Sequence, residues 1–182
     1  SRLFNQGIKI GIDPLANSLG YEGINNGVTV STGIGEDLDF EDNEFDIVVC
    51  INALDHMRNP KKVLEEVSRV LKKDGIFIIG LYTYNAFIKN IKSISEITGF
   101  KRNVGHPHVY TEKTLSKTIQ KKFSVIDLNE IYKGISPTDY GKTVILKEMN
   151  TLFTNIILLF NYRLFGYDYF VRDLLFTCRN KK

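Results

Sequence analysis

The stretch from Phe45 to Leu81 constrains the fold more than any other part of the chain. Phe45 to Ile51 (Phe-Asp-Ile-Val-Val-Cys-Ile) is nearly continuous in apolar residues, the pattern of a parallel strand covered on both faces, and is expected to lie centrally in a sheet. Asn59-Pro60 then offers a helix cap with proline at the first helical position. Val63, Leu64, Val67, Val70 and Leu71 recur at helical spacing until Lys72, Lys73 and Gly75 close the helix. Ile76 to Leu81 reads as a second buried strand. Strand, helix and strand make a βαβ unit, whose crossover is expected to be right-handed.

Segments on either side extend the same pattern. Gly7 to Asp13 places isoleucines at alternate positions and ends on an acid followed by Pro14, which cannot continue a central ladder. It is expected to be a strand with a carboxylate at its C-terminal tip. Val28 to Ser31 reads as another short strand, Ala86 to Thr98 as a helix stopped by Gly99, and Thr111 to Lys122 as a helix capped by Thr111. Phe123 to Glu130 reads as a strand, and a long helical stretch from about Thr143 to Phe165 precedes a last strand around Leu174 to Arg179. Ser136-Pro137 to Gly141 is the one internal hinge the pattern offers. The expected fold is α/β: a Rossmann-like, doubly wound, mostly parallel sheet with helices on both faces. Residues 1–182 are expected to form a single domain, with a helical insert around 136–170 acting as a lid or an interface.

Composition narrows the function classes. With 182 residues and 43 % apolar content, the chain buries a proper core, which excludes a disordered tail or a fibre. The charge is 24 − 21 = +3 with both signs interspersed, which gives no basic groove for nucleic acid. Cys50 and Cys178 sit far apart in apolar runs and read as buried reduced thiols of a cytoplasmic protein. Ser1 to Gln6 lacks the pattern of a signal peptide and reads as the end of a helix. The most hydrophobic window, Leu152 to Phe165, is interrupted by Asn155, Asn161 and Arg163 and falls short of the roughly 20 apolar residues of a membrane span.

In open α/β sheets, ligands bind beyond the carboxyl ends of the strands, so the residues at those tips are the candidate site. After the first strand comes Asp13, a carboxylate suited to the two hydroxyls of a ribose. After the second comes Gly33-Ile34-Gly35-Glu36-Asp37-Leu38, where glycines let the backbone approach a flat ring and an acid or neighbouring amide can read an exocyclic amine. After the third, Asn52-Ala53-Leu54-Asp55-His56 reads as polar groups opening a helix, and after the fourth come Tyr82, Tyr84 and Asn85.

The run from Gly35 to Cys50, continued by Leu54-Asp55-His56 and by Val70-Leu71-Lys72-Lys73-Asp74-Gly75, resembles the class I S-adenosylmethionine-dependent methyltransferases, in the branch that acts on small molecules. The resemblance covers about Gly7 to Gly80. It implies S-adenosylmethionine as cofactor, held at the ribose by Asp13 with Pro14 and Leu15 and at the adenine by Gly35, Glu36, Asp37 and Leu38. Cys50, Ile51 and Asn52 would flank the methionine moiety and the methyl group. His106-Pro107-His108 looks like a substrate-facing segment of these enzymes, so Tyr82, Tyr84, Asn85 and His108 are expected to shape the acceptor pocket. His56 and His106 are the candidate bases, because an imidazole pKa near 6.5 suits proton transfer at neutral pH. His106 and His108 lack a clear third ligand, so no metal is expected.

The sequence departs from the family in one respect. A ribose-binding acid normally follows a glycine-rich loop by about 20 residues, and Asp13 stands too early for that. The family's first strand and its loop are therefore expected to be missing from this sequence, leaving two central strand edges unpaired. The implied function is methyl transfer to a small-molecule acceptor by a protein without a nucleic-acid partner or membrane span, with a homodimer open. The alternative is a non-catalytic methyltransferase-like subunit that binds a partner through its aromatic-rich Leu152 to Phe170 segment. A dinucleotide oxidoreductase half-domain shares the Asp13 logic but leaves the Glu36 to His56 run unexplained.

Overall fold

The computed structural model describes residues 7–86, 107–130 and 171–182. The expected helices over Ala86 to Thr98 and Thr143 to Phe165, the hinge at 136–141 and the insert around 136–170 lie outside them, apart from Ala86 itself. Among the described residues, seven strands form two sheets. Strands β1 (Ile10–Asp13), β2 (Gly23–Asn25) and β3 (Val28–Thr32) make the first in the order β1-β3-β2. Strands β4 (Phe45–Ile51), β5 (Leu71–Tyr84), β6 (Phe123–Glu130) and β7 (Val171–Asn180) make the second in the order β4-β5-β7-β6.

β1 runs parallel to β3, with Asp13 opposite Thr32, and β4 runs parallel to β5. β7 is antiparallel to both of its neighbours. β2 and β3 form a hairpin that the sequence reading missed. Its turn is Asn26-Gly27, with φ of 50° and 76°. Asn-Gly with both residues left-handed is a strong short-range hairpin signal, and it was present in the sequence.

α1 (Pro60–Val70) starts where expected, with the Asn59 side chain accepting a hydrogen bond from the Lys62 N–H at 3.1 Å. It ends earlier than expected. Lys72 to Gly75 do not close the helix but form an irregular start of β5, with Asp74 at φ 63° and a register shift between Phe45 and Ile47. Other groups take up the last helical carbonyls. Asn180 Nδ2 donates to Ser68 O at 2.9 Å, and Arg69 O accepts from Lys182 Nζ at 2.6 Å and from the Asn43 N–H at 3.0 Å. With its terminal acceptors satisfied from outside, the helix needs no glycine cap.

α2 (Glu112–Gln120) carries a capping box in which Thr111 and Thr114 each satisfy the other's backbone N–H. Both helices contribute to one core, Val63, Leu64 and Val67 from α1 and Leu115 and Ile119 from α2, around Phe77, Ile79 and Leu81 of β5. Cys50, Leu54, Leu71, Phe123, Leu174, Phe176 and Cys178 complete it, and both cysteines are free and buried.

The central position expected for β4 is corrected. Among the described residues β4 pairs only with β5 and β1 only with β3, so each presents a bare edge. Ile47, Val49 and Ile51, which share one face of β4, are 40 %, 51 % and 44 % exposed, whereas Val48 and Cys50 on the opposite face pack at the core. Among the described residues, no helix is long and apolar enough to cross a membrane.

Candidate functional site

The parallel pairs β1-β3 and β4-β5 each gather their C-terminal tips, and the sequence-predicted residues fall there. Asp13 ends β1 and shapes the turn after it: its Oδ1 accepts the Leu15 N–H at 2.7 Å, and its carbonyl accepts from Ala16 at 3.2 Å. Pro14 and Leu15 lie in that turn, both exposed. Tyr21, which sequence reasoning missed, faces Asp13. Burial, then a hydrogen bond to Asp13 and its negative charge, raise the Tyr21 hydroxyl above its ordinary range. A tyrosine eight residues after the acid carries no signal of its own, because the turn alone brings it back.

The segment after β3 is held against α1. A Cβ on Gly35 would meet Met57 Cε at 3.1 Å and Sδ at 3.2 Å, so glycine permits the close approach there. Glu36 accepts the Asn59 N–H at 3.1 Å through Oε1, and the Asp37 N–H donates to Ile34 O at 3.2 Å. Glu36 and Leu38 are half-buried and Asp37 is exposed.

At the tip of β4, Cys50 is buried while Ile51 and Asn52 are exposed. Asn52 sits at φ 50° and donates its N–H to Gly80 O at 2.9 Å. Asparagine is among the few non-glycine residues that tolerate this region. The helix expected to open at Asn52 is corrected to a single 3-10 turn, Leu54–His56, which ends before α1 begins. Asp55 is buried within it. Burial, then the charge of Asp55, push the Cys50 thiol up to about 11, which favours the neutral thiol.

Asp55 also anchors the predicted substrate side. Its carbonyl accepts the His108 N–H at 3.2 Å, and His56 Nε2 lies 3.9 Å from its carboxylate. His108 Nε2 is buried and makes no hydrogen bond among the described residues. The His108 ring is centred 6.5 Å from that of Tyr110, whose hydroxyl burial and the Asp55 charge push up to about 12. The Tyr110 carbonyl accepts the Tyr84 N–H at 2.8 Å. Tyr82 and Tyr84 lie within the last three residues of β5 rather than following it, and Asn85 comes directly after the strand. His56, the His108 backbone and Tyr110 thus lie near Asp55, and Tyr84 is tied to Tyr110 through the backbone. His106 lies outside the described residues. Sequence reasoning missed Tyr110, whose link to Tyr84 runs through the backbone and leaves no sequence signature.

Residues 5–79 match the model of the methyltransferase domain family. The uncharacterized protein MJ1123 of Methanocaldococcus jannaschii is 30 % identical over 143 residues, covering 70 % of this chain and 67 % of its own length. The uncharacterized methyltransferase YcgJ of Bacillus subtilis is 39 % identical over 133 residues, covering 71 % of this chain and 50 % of its own length. The chain thus spans between half and two thirds of these relatives. Among solved structures, MccD protein superposes with a TM-score of 0.60 at 21 % identity, covering 97 % of this chain and 81 % of that one. The chain belongs to the class I S-adenosylmethionine-dependent methyltransferases, and its fold is their Rossmann-like α/β fold.

Proposed function

We propose that this chain binds S-adenosylmethionine across the tips of β1, β3 and β4 and takes part in methyl transfer to a small-molecule acceptor held near β5. The observation that carries the reading is that an acid, a close-packed glycine segment and a left-handed Asn52 stand at the C-terminal ends of β1, β3 and β4. These residues suit the cofactor. Asp13 sets a carboxylate at the strand tip where a ribose diol would meet it, Gly35 lets the backbone approach Met57 closely, and Asp37 is exposed. Bound there, the cofactor supplies a methyl group already activated by its sulfonium charge.

The chain's own work is orientation, an effect that can account for roughly 7–11 kcal/mol of a barrier. Asp13 and the Gly35–Leu38 segment hold the nucleoside end. Ile51 and Asn52 border the reacting end, and Tyr82, Tyr84, Asn85 and His108 line the acceptor side. His56, beside the Asp55 carboxylate, takes the proton from an acceptor hydroxyl or amine. An acceptor of small size is supported by the near-balanced charge, +3 over 182 residues, which offers no field for a polyanion.

Calorimetry with S-adenosylhomocysteine on the intact protein tests the reading, and absence of binding at high micromolar ligand overturns it. Asp13→Ala is expected to weaken that binding by about 1–3 kcal/mol, the scale of a lost hydrogen bond to a charged group; an unchanged affinity removes Asp13 from the site. Once an acceptor is found, His56→Gln is expected to lower kcat/KM by about 10²–10⁴-fold, the contribution of a positioned general base; an unchanged kcat/KM assigns the proton transfer elsewhere.

A further inference from the structure

We propose that Glu66 and Arg69 of α1 are positioning residues for the cofactor, their ion pair clamping the backbone of the segment after β3 and so setting where Gly35, Asp37 and the neighbouring amides meet the adenine ring. The proposal rests on the cofactor reading above and goes beyond it, since neither residue touches the ligand.

The clamp is built from side chains that grip main chain. Glu66 Oε2 accepts the Leu38 N–H at 3.2 Å, and Arg69 Nη2 donates to the Leu38 carbonyl at 2.8 Å. Arg69 Nη1 reaches the Phe40 carbonyl at 2.7 Å and Asp42 Oδ1 at 2.9 Å. The two clamping side chains are joined to each other at 2.9 Å, and Lys62 Nζ holds the other Glu66 oxygen at 3.3 Å. Upstream, Glu36 is fastened to the Asn59 N–H at the start of the same helix. Of the three consecutive residues Glu36, Asp37 and Leu38, the outer two are therefore tied to α1, and the middle one is left exposed with its carboxylate outward.

The chemistry of the pair fits this task. Gly33 to Phe40 belongs to no strand or helix, so unclamped it would pay its ordering entropy when a ligand binds. Glu66 is buried, where an ion pair with good geometry is rigid and poorly screened. The guanidinium fork serves two carbonyls and two carboxylates at once, which the single ammonium of lysine cannot reproduce in the same geometry. Glu66 and Arg69 lie one helical turn apart, and both reach the same loop.

The test compares the intact wild-type protein with Arg69→Lys, Arg69→Gln and Glu66→Gln. Each is titrated by calorimetry with S-adenosylhomocysteine and with S-inosylhomocysteine, in which a carbonyl replaces the exocyclic amine, and each is followed by thermal unfolding. Wild type is expected to prefer the adenine ligand. Arg69→Lys and Glu66→Gln are expected to weaken the adenine ligand roughly tenfold and the inosine ligand less than about threefold, so that the preference shrinks in folded protein. Equal losses for both ligands, or a lowered melting temperature with the preference intact, reduce the pair to a structural role and overturn the proposal. If Arg69→Gln fails to fold, Arg69→Lys and Glu66→Gln decide. Wild type that binds neither ligand overturns the cofactor reading and the proposal with it, whereas wild-type binding matched by the variants overturns the clamp alone.

Discussion

Phe77→Ala is expected to destabilise the protein by about 3–5 kcal/mol, the range for deleting a buried aromatic ring from a packed core. Phe77 is fully buried in the middle of β5, with Val48 of β4 on one side of the ladder and Cys178 of β7 on the other. Its ring lies 4.9 Å from that of Phe123, tilted by 40°. Truncation therefore opens a cavity bounded by three strands, where the backbone ladder prevents collapse. Denaturant unfolding checks it: the midpoint should fall with an unchanged slope, and a loss below about 1 kcal/mol would show that the site repacks. Ile126→Ala on β6, where the side chain is 51 % exposed, is the control and should change stability by less than about 0.5 kcal/mol.

Acid should weaken the fold through Glu66. The hydrogen bonds from Arg69, and then those from the Leu38 N–H and Lys62, hold its carboxyl down at about 2 against the ordinary 4.5, with burial working the other way. A carboxyl whose folded value is depressed contributes stability that is present above its unfolded value and disappears as pH falls through the folded one. The contribution is thus complete above about pH 4.5 and is lost progressively toward pH 2, amounting to something on the order of 3 kcal/mol. Stability measured across this window should show the loss in wild type and a shallower slope in Glu66→Gln. Parallel slopes in the two proteins would remove Glu66 as the titrating group.

The parts of the fold legible in the sequence are those whose signal is carried by nearby side chains. β4 reads as a strand from Phe45 to Ile51 because its apolar run is continuous, and α1 reads from Asn59-Pro60 because cap and proline mark the place where a helix starts. β6 was placed at both ends, since Phe123 follows the end of α2 and Glu130 ends the alternating run. Asp13 was placed at a strand tip by the proline after it. The end of α1 was misread because Lys72, Lys73 and Gly75 form a stop pattern that tertiary pairing overrides: Leu71 is drawn into register opposite Phe45.

Of the candidate site, the sequence located the strand tips but not the groups that hold them. Asp55 was expected to begin a helix and instead sits buried among His56, His108 and Tyr110. The distances in sequence explain the difference. His108 meets Asp55 across more than fifty residues, and Arg69 meets Leu38 across thirty-one. Periodicity and capping have no reach over such separations.

By itself the sequence determined the α/β class, the βαβ unit from Phe45 to Leu81, the presence of a carboxylate at the β1 tip and the methyltransferase family. Only the tertiary structure decided that β7 runs antiparallel between β5 and β6, that the His108 N–H meets the Asp55 carbonyl and that Glu66 and Arg69 grip the segment after β3. Strands and helices announce themselves through side-chain spacing, which is local. A hydrogen bond to a main-chain N–H or carbonyl leaves no trace in the identity of the residue that receives it, so such contacts become visible only once the chain is folded.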